Sequence, residues 1–345
     1  MRVPGHHLGA RLQIGLASLV LAVAATGCGA GGSTTTEAVS LKGKTVDFVV
    51  PYDPGGGYDV YMRLLAPAFE KCSGATVVVR NEPGAGGLLA TTKTYSASPK
   101  ELRLQIVNMV GAAASQIAEA EGAQYQLERF TWLGRVSAEP NVMVVAKDSP
   151  IKDFQDILDA KKPVRFVATG PGSNEYINSV ILPEIYDFPA KVATGFVGSE
   201  EARAAVLSGD ADAHILPLDS QIQAIESGDV RPVLVVDEEP SEVLADTPSL
   251  QDFEPASSEQ EPILKELVEL SDTGRAVAAP PGVDSATRSV LEKAMSCALD
   301  DKGVVAKAEK QKREVAPLTG KQIVDRIKQV LGSPEEFQRL LRKAA

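Results

Sequence analysis

The chain has 345 residues, 44% of them hydrophobic and 23% charged, which is enough to build one large or two medium globular domains. Its net charge of −11 repels phosphate backbones and anionic lipid surfaces, so an anionic ligand must be held by a local site. Aromatic residues make up only 5%, which disfavours a surface that stacks single-stranded nucleic acid, and no nucleic-acid partner is expected.

The first 27 residues are predicted to be a signal peptide. Arg2 and Arg11 give this segment a basic leader, and Leu12–Ala25 is a mostly apolar run. The run is too short, and wrongly flanked, for a stable membrane span. We therefore expect a protein that is exported to the cell envelope.

Cys28 follows the small residues Ala25-Thr26-Gly27, which resembles the bacterial lipobox, whose cysteine receives lipid after cleavage. Gly29–Thr36 then reads as a flexible tether of glycine, serine and threonine. Residues 28–42 are thus predicted to hold the protein, through a lipid anchor, at the outer face of the bacterial cytoplasmic membrane or in the periplasm. The alternative is a plain secretory signal with an incidental cysteine.

Strands and helices alternate from residue 43 onward. Apolar residues recur with period two in Thr45–Val50, as in a strand, whereas Tyr58–Lys71 carries its apolar residues at helical spacing. Three more elements complete a βαβαβ order, namely strand Ala75–Arg80, helix Thr91–Ala97 and strand Leu102–Asn108. This order predicts a parallel sheet with helices on its faces.

A second α/β series follows strand Asn141–Ala146. Its predicted helices are Asp153–Lys161, Asn174–Ile185, Glu200–Ser208 and Ser220–Ser227, and its strands are Arg165–Thr169, Ala190–Gly195, Ala213–Leu216 and Val230–Val236. A connection rich in proline, serine and acids then leads to the last elements, which are strand Arg275–Ala279 and helices Ser285–Leu299, Thr319–Leu331 and Ser333–Lys343.

The two series predict two α/β lobes, each a mostly parallel sheet flanked by helices. Residues 43–141 and 241–345 are assigned to lobe 1, and residues 142–240 to lobe 2, which is inserted into it. Two crossover segments would form the hinge between the lobes.

Each series contains a glycine-rich turn between a strand and a helix. Glycine lets the backbone approach a ligand closely, and the N–H groups and dipole of a helix start favour an anion. Either turn alone could be a tight strand–helix connection, but facing lobes would point both into one cleft. The candidate ligand-binding residues are Tyr52, Gly55, Gly56, Gly57, Tyr58 and Asp59 at the first turn, and Thr169, Gly170, Gly172, Ser173 and Asn174 at the second.

Further candidates lie at the carboxyl ends of other strands, where ligands gather in open α/β sheets. Asp219, just past strand Ala213–Leu216, could contact the ligand or cap the next helix. Asp59 and Arg63, spaced i, i+4, predict a surface ion pair near a helix start rather than a catalytic pair. The candidates from lobe 1 are Ala85 and Gly86 in a third glycine loop, and Asn108 and Met109 after the third strand.

Cys72 and Cys297 are the other two cysteines. Export implies an oxidising compartment in which they could pair, if both of their helices belong to one lobe. Two buried free thiols remain the alternative.

Enzymatic motifs are absent from the sequence. His214 is the one histidine after the leader, so a histidine-rich zinc site is excluded and a lone histidine in an apolar strand is usually structural. Neither a P-loop nor a CxxC pair occurs, and the turn at Gly55–Gly57 does not give the GxGxxG pattern of dinucleotide binding. We therefore expect no catalytic residues, no metal and no cofactor.

Six segments occur in a fixed order, and they are Pro54–Asp59 with Arg63, Val77–Gly87, Gly170–Ser173, Leu207–Ala213, Asp246–Leu250 and Ala278–Val283. Together they resemble the signature segments of the tripartite tricarboxylate transporter binding proteins, also called the Bug or TctC-like family. The resemblance covers nearly all of residues 43–335.

This resemblance implies a type II periplasmic-binding-protein fold with two lobes and a hinge. It also implies a ligand such as a di- or tricarboxylate, an acidic amino acid or an aromatic carboxylate, held by backbone N–H groups and delivered to integral membrane transporter subunits. In agreement, the three glycine loops contain no lysine or arginine. The protein is expected to act as a monomer.

Three other functions remain open. The protein could feed a sensor or another class of transporter. It could be an exported hydrolase that uses Ser173 with His214, or it could be a structural lipoprotein.

Overall fold

The computed structural model describes residues 39–138 and 140–344, which form two five-stranded mixed sheets flanked by helices. The predicted signal peptide and Cys28 lie outside the described residues and remain predictions. Leu41, within the segment expected to be a tether, is buried in an apolar core. In the described part of the chain, no helix has the length and apolar character needed to cross a membrane.

The first sheet has the strand order β2-β1-β3-β10-β4. Strand β1 pairs in parallel with β2 and β3, whereas β10 pairs antiparallel with β3 and β4. Four strands therefore run in one direction and β10 runs against them. The strands are β1 Thr45–Val50, β2 Thr76–Asn81, β3 Arg103–Asn108, β4 Thr131–Ser137 and β10 Arg275–Ala279.

The second sheet repeats this plan with the order β7-β6-β8-β5-β9. Strand β6 pairs in parallel with β7 and β8, and β5 pairs antiparallel with β8 and β9. The predicted pair of mostly parallel sheets is thus confirmed. The strands are β5 Asn141–Ala146, β6 Val164–Ala168, β7 Ala190–Thr194, β8 Ala213–Pro217 and β9 Val230–Val236.

Helices cover both sheets, and we call the parts built on the first and second sheet the first and second lobe. The helices are α1 Gly57–Ser73, α2 Leu88–Ser96, α3 Met109–Ile117, α4 Phe154–Leu158, α5 Asn174–Tyr186, α6 Ser199–Leu207, α7 Leu218–Glu226, α8 Glu261–Ser271, α9 Ser285–Leu299, α10 Lys302–Lys310, α11 Gly320–Leu331 and α12 Glu335–Ala344.

Four elements were not predicted from the sequence: β4, α3, α8 and α10. Helix α3 is apolar on nearly all sides, because eight of its nine residues are buried, so it lacks the polar face that marks a surface helix. Strand β4 is buried at every position yet contains Gly134 and Arg135, which interrupt the apolar pattern of a strand.

One apolar cluster continues from the first lobe into the second. It contains Ala113 of α3, Ile181 of α5, Leu267 of α8 and Phe337 of α12. Helix α5 packs against α3, α8 and α12, so side chains from both lobes share this core. The lobes are therefore in direct contact in this structure.

The structure joins Cys72 at the end of α1 to Cys297 in α9. Their Cα atoms lie 6.1 Å apart, a separation that suits a disulfide, and 225 positions separate them along the chain. Helices α1 and α9 pack on each other in the first lobe. The bond therefore ties together the two segments of the first lobe that flank the second.

Replacing both cysteines with serine should lower the free energy of unfolding by about 3–5 kcal/mol, because a bond that closes so long a loop restricts the unfolded chain. Urea unfolding under oxidising conditions measures the difference. Reduced wild-type protein should match the double variant, and the reductant should leave the variant unchanged. Equal stability of oxidised and reduced wild type would contradict the bond.

Candidate functional site

A cavity of about 220 Å³ lies where the starts of four helices converge. The start of α1 reaches it from the first lobe, and the starts of α5, α6 and α7 reach it from the second. The first N–H groups of a helix have no partner within that helix and carry partial positive charge. The cavity therefore presents groups from both lobes that can hold an anion.

Glycine makes the approach of α1 to α7 possible. A methyl group added at Gly57 would lie 2.3 Å from Ser220 Oγ and 2.5 Å from Asp219 Oδ2. Real Cβ atoms do not approach other atoms so closely, so any other residue here would require the side chains of Ser220 and Asp219 to shift.

The other glycine loops also meet backbone to backbone. A methyl group at Gly86, whose φ is +66°, would lie 2.7 Å from Ser173 N, and one at Gly111 would lie 1.9 Å from Gly172 O. The loop after β2 and the start of α3 thus press directly on the loop after β6, which leaves no room for a ligand between these particular backbones.

Asp59 closes the first glycine turn. Its Oδ2 accepts hydrogen bonds from Gly55 N at 3.0 Å and Arg63 Nε at 2.8 Å, and its Oδ1 accepts one from Asn81 Nδ2 at 3.0 Å. Burial pushes the pKa of Asp59 up, but these hydrogen bonds outweigh it and hold the pKa below its ordinary value. The predicted Asp59–Arg63 pair is present, but it is not the expected surface pair, because the Asp59 carboxylate is buried and fixes the turn.

Tyr52 and Asn108 connect the two lobes. Tyr52 Oη donates a hydrogen bond to Gly86 O at 2.8 Å. Asn108 Nδ2 donates to Tyr52 Oη at 2.9 Å and to Gly172 O of the second lobe at 3.2 Å. Burial raises the pKa of Tyr52 well above its ordinary value, so the hydroxyl stays protonated and can donate. The Asn108–Gly172 bond forms only while the lobes are together.

Asp219 carries a buried ion pair between the lobes. This carboxylate at the start of α7 accepts a hydrogen bond from Arg275 Nη2 of β10 at 2.7 Å, and it also pairs with Arg313. The guanidinium of Arg275 lies 4.5 Å from the ring centre of Tyr58, which lines the cavity. The ion pair therefore stands behind one wall of the cavity.

Glu82 anchors the third glycine loop to the first sheet. Arg103 donates two hydrogen bonds to its carboxylate, at 2.9 and 2.8 Å, and Lys93 Nζ lies 3.0 Å away. The hydrogen bonds from Arg103, followed by those from Lys93, lower the pKa of Glu82 to about 2 against the effect of burial. The loop that carries Ala85 and Gly86 is thus held in place by charge.

The structure distributes the predicted site residues over three places. The cavity at the helix starts is lined by Tyr52, Gly56, Gly57, Tyr58, Asn108 and Asn174. A neighbouring cavity of about 280 Å³ is lined by Tyr52, Ala85, Gly86, Thr169 and Gly170. Neither cavity is lined by Gly55, Asp59, Met109, Gly172, Ser173 or Asp219.

The sequence analysis missed several residues of the cavity wall, above all Glu175, Ser199, Leu216 and Ser220. Each lies within two residues of the boundary between a helix and the strand or loop before it. The starts of α6 and α7 could have been inspected for the same reason as the two glycine turns. The turn before α6 carries Gly195 and Gly198, whereas no glycine separates β8 from α7. In the described residues, no cluster of three or more histidine, cysteine, aspartate or glutamate side chains could hold a metal ion.

Comparison with known families gives one model that covers most of the chain. Residues 61–330 match the model of the tripartite tricarboxylate transporter family receptor. Protein BugT of Bordetella pertussis is 24% identical over 284 residues, which cover 80% of this chain and 82% of that protein. A relative from Pseudomonas sp. strain P51 is 26% identical over 54% of this chain, which spans about 56% of that relative's length.

Two solved structures share the fold. The periplasmic binding protein BugD superposes with a TM-score of 0.74 at 21% identity, over 87% of this chain and 97% of that one. MatC of Rhodopseudomonas palustris, solved with bound malate, superposes with a TM-score of 0.71 at 20% identity, over 86% of this chain and 99% of that one.

Changing Glu82 to glutamine should lower the free energy of unfolding by about 2 kcal/mol at pH 7, because charge-assisted hydrogen bonds are lost. Since the folded pKa is about 2 and the ordinary value is 4.5, the stability difference should be full above pH 4.5. It should shrink as the pH falls toward 2.

Urea unfolding of both proteins between pH 2.5 and 7 checks this prediction. Glu309→Gln, which alters an exposed carboxylate on α10, is the matched control and should change little at any pH. A Glu82→Gln difference that stays constant with pH would contradict the role of the ionised carboxylate.

Proposed function

The chain belongs to the tripartite tricarboxylate transporter receptor family, and on this premise we propose that it is an exported solute-binding lipoprotein for a small carboxylate. It captures the ligand between its lobes and delivers it to the integral membrane subunits of a tripartite transporter. Cys28 carries the lipid anchor. Tyr52, Gly56, Gly57, Tyr58 and Asn174 belong to the ligand-binding wall.

The observation that supports this proposal best is the convergence of helix starts from both lobes on one cavity. Among the described residues that line this cavity, none is lysine or arginine. A carboxylate there would be held by backbone N–H groups, as the sequence resemblance implies. MatC, which has the same fold, binds malate, a small dicarboxylate.

The contacts between the lobes suggest how binding is coupled to closure. The Asn108–Gly172 hydrogen bond and the Asp219–Arg275 ion pair join one lobe to the other. In an open form these groups would face water, and the ligand would contact one lobe alone. A ligand that adds contacts to both lobes shifts the population toward the closed form. The crossings from β4 to β5 and from β9 to β10 serve as the hinge.

The hydrolase alternative gains no support from the contacts of Ser173. Its hydroxyl donates a hydrogen bond to Gly170 O at 2.7 Å and accepts one from Tyr176 N at 3.2 Å, as the cap of α5. His214 instead lies nearest to Glu175, with Nε2 3.7 Å from Oε1. The serine hydroxyl is thus engaged with backbone groups of its own turn and helix and makes no hydrogen bond to the histidine.

Thermal denaturation with a panel of mono-, di- and tricarboxylates, each with and without an amino group, tests the proposed function. A carboxylate that binds only the folded protein should raise the melting temperature, with a stabilisation of about 2.7 kcal/mol at 100 times its dissociation constant. Uncharged amides of the same acids are the control. No shift with any acid at millimolar concentration would contradict the proposal.

Gly111→Ala should separate binding from closure. Alanine favours the helix by about 1 kcal/mol, so α3 should form, but its methyl group would collide with Gly172 O when the lobes close. Small-angle X-ray scattering should show that the most stabilising acid of the panel compacts wild-type protein but not this variant.

The matched control for this experiment is Gly303→Ala, a helical glycine exposed on α10. It should compact like the wild type. If Gly111→Ala compacts to the same extent, the contact between α3 and the loop after β6 does not govern closure.

A further inference from the structure

The proposed function assigns no role to one carboxylate in the cavity wall, that of Glu175. Glu175, the second residue of α5, lines the cavity and is only 3% exposed. Among the described residues, none donates a hydrogen bond to this carboxylate. His214 Nε2 lies 3.7 Å from its Oε1, which exceeds hydrogen-bonding distance.

Asn174, the residue before Glu175, also has an acceptor atom without a hydrogen-bond donor in the described part of the chain. Asn174 also lines the cavity, and its Nδ2 donates to Asn141 Oδ1 at 3.2 Å. Its Oδ1 is buried and receives no hydrogen bond in the described part of the chain. The start of α5 therefore offers two acceptor groups that lack donors, and burying such groups unpaired costs free energy.

The other acidic residues of the cavity wall are Asp53, Glu200 and Glu201, and Asp53 is only partly buried. Glu200 is paired with Arg203 at 3.0 Å and its side chain is 66% exposed. Glu201 accepts a hydrogen bond from Val197 N at 2.9 Å and is exposed. Glu175 is thus the acid of the wall that is both buried and without a hydrogen-bond donor.

Two aromatic rings complete the surroundings of Glu175. Tyr52 and Tyr58 line the same cavity, and their ring centres are 4.8 Å apart. Burial is the main cause that raises the pKa of both tyrosines, so their hydroxyls stay protonated. A cavity wall that combines a carboxylate with aromatic rings has the chemistry to hold an organic ammonium group.

We propose that the ligand of this cavity is a zwitterion, with one carboxylate at the starts of α1, α6 and α7 and an ammonium group against Glu175. This inference rests on the proposed function and narrows its ligand class. The ammonium group would donate to the Glu175 carboxylate. A second carboxylate at the same place would instead be repelled at short range by Glu175.

Isothermal titration calorimetry of the wild-type protein with matched acids tests this proposal. Each set has three compounds of equal chain length, from three to six carbons: an amino acid, the acid without its amino group, and the dicarboxylate. At least one amino acid should bind ten-fold or more tightly than both of its counterparts. Binding of the unsubstituted acids and dicarboxylates with equal or higher affinity in every set would overturn the zwitterion inference and leave the proposed function standing.

Failure of all compounds to bind would instead contradict the proposed function itself. The comparison needs no variant, so it remains decisive even if substitutions at the start of α5 impair folding. The two proposals therefore fail in different ways.

Glu175→Gln then assigns the preference to this side chain. The variant should bind the preferred amino acid at least ten-fold more weakly and should bind the acid without the amino group as well as the wild type does, or better. Glu184→Gln, which alters an exposed carboxylate near the other end of α5 and outside the cavity, is the matched control and should keep the preference.

His214→Gln addresses the remaining role for Glu175, that of a structural partner of the histidine. If Glu175 contacts the ligand, His214→Gln should retain the preference for the amino acid. Loss of the preference in His214→Gln with its retention in Glu175→Gln would overturn the assignment.

Discussion

The lobes of this protein meet through bare backbone, and the site depends on that closeness. Gly57, Gly86 and Gly111 each stand where a methyl group would collide with the second lobe. Because these positions carry no side chain, the start of α1 can reach the same small cavity as the starts of α5, α6 and α7. The electrostatic effect of a helix start falls off within one turn. If side chains held the lobes further apart, the helix starts could no longer act on the same ligand.

Polar contacts between the lobes fix how the lobes are placed relative to each other. Asn108 joins Tyr52 to Gly172 across the lobes, and Asp219 joins α7 to Arg275 behind Tyr58. A buried ion pair gains little net free energy over hydration, but it penalises every arrangement in which one partner is buried alone. These contacts therefore favour one relative position of the lobes. Burial of apolar side chains in the core shared through α5 and α12 stabilises the contact between them.

The sequence predicted the parts of this molecule that depend on local pattern. Strand Thr45–Val50 and helix Ser285–Leu299 have the predicted bounds, because period-two and helical spacing are properties of neighbouring residues. Helix α3 was not predicted because eight of its nine residues are buried, so it lacks the polar face of a surface helix. The glycine turns could be recognised from neighbouring residues. Glu175 could not, because its burial in the cavity wall and its lack of a hydrogen-bond donor depend on residues that are distant in the sequence.

The strand order also has a consequence for the order of assembly. All strands of the second sheet lie within residues 141–236, so that sheet can close as soon as this stretch has left the translocation channel. Among the described strands, β4 pairs only with β10, and β10 starts at Arg275. An exposed, unpaired strand can pair with other chains. During export the second lobe can therefore fold before the first. Until β10 emerges, β4 lacks its strand partner and can pair with other chains.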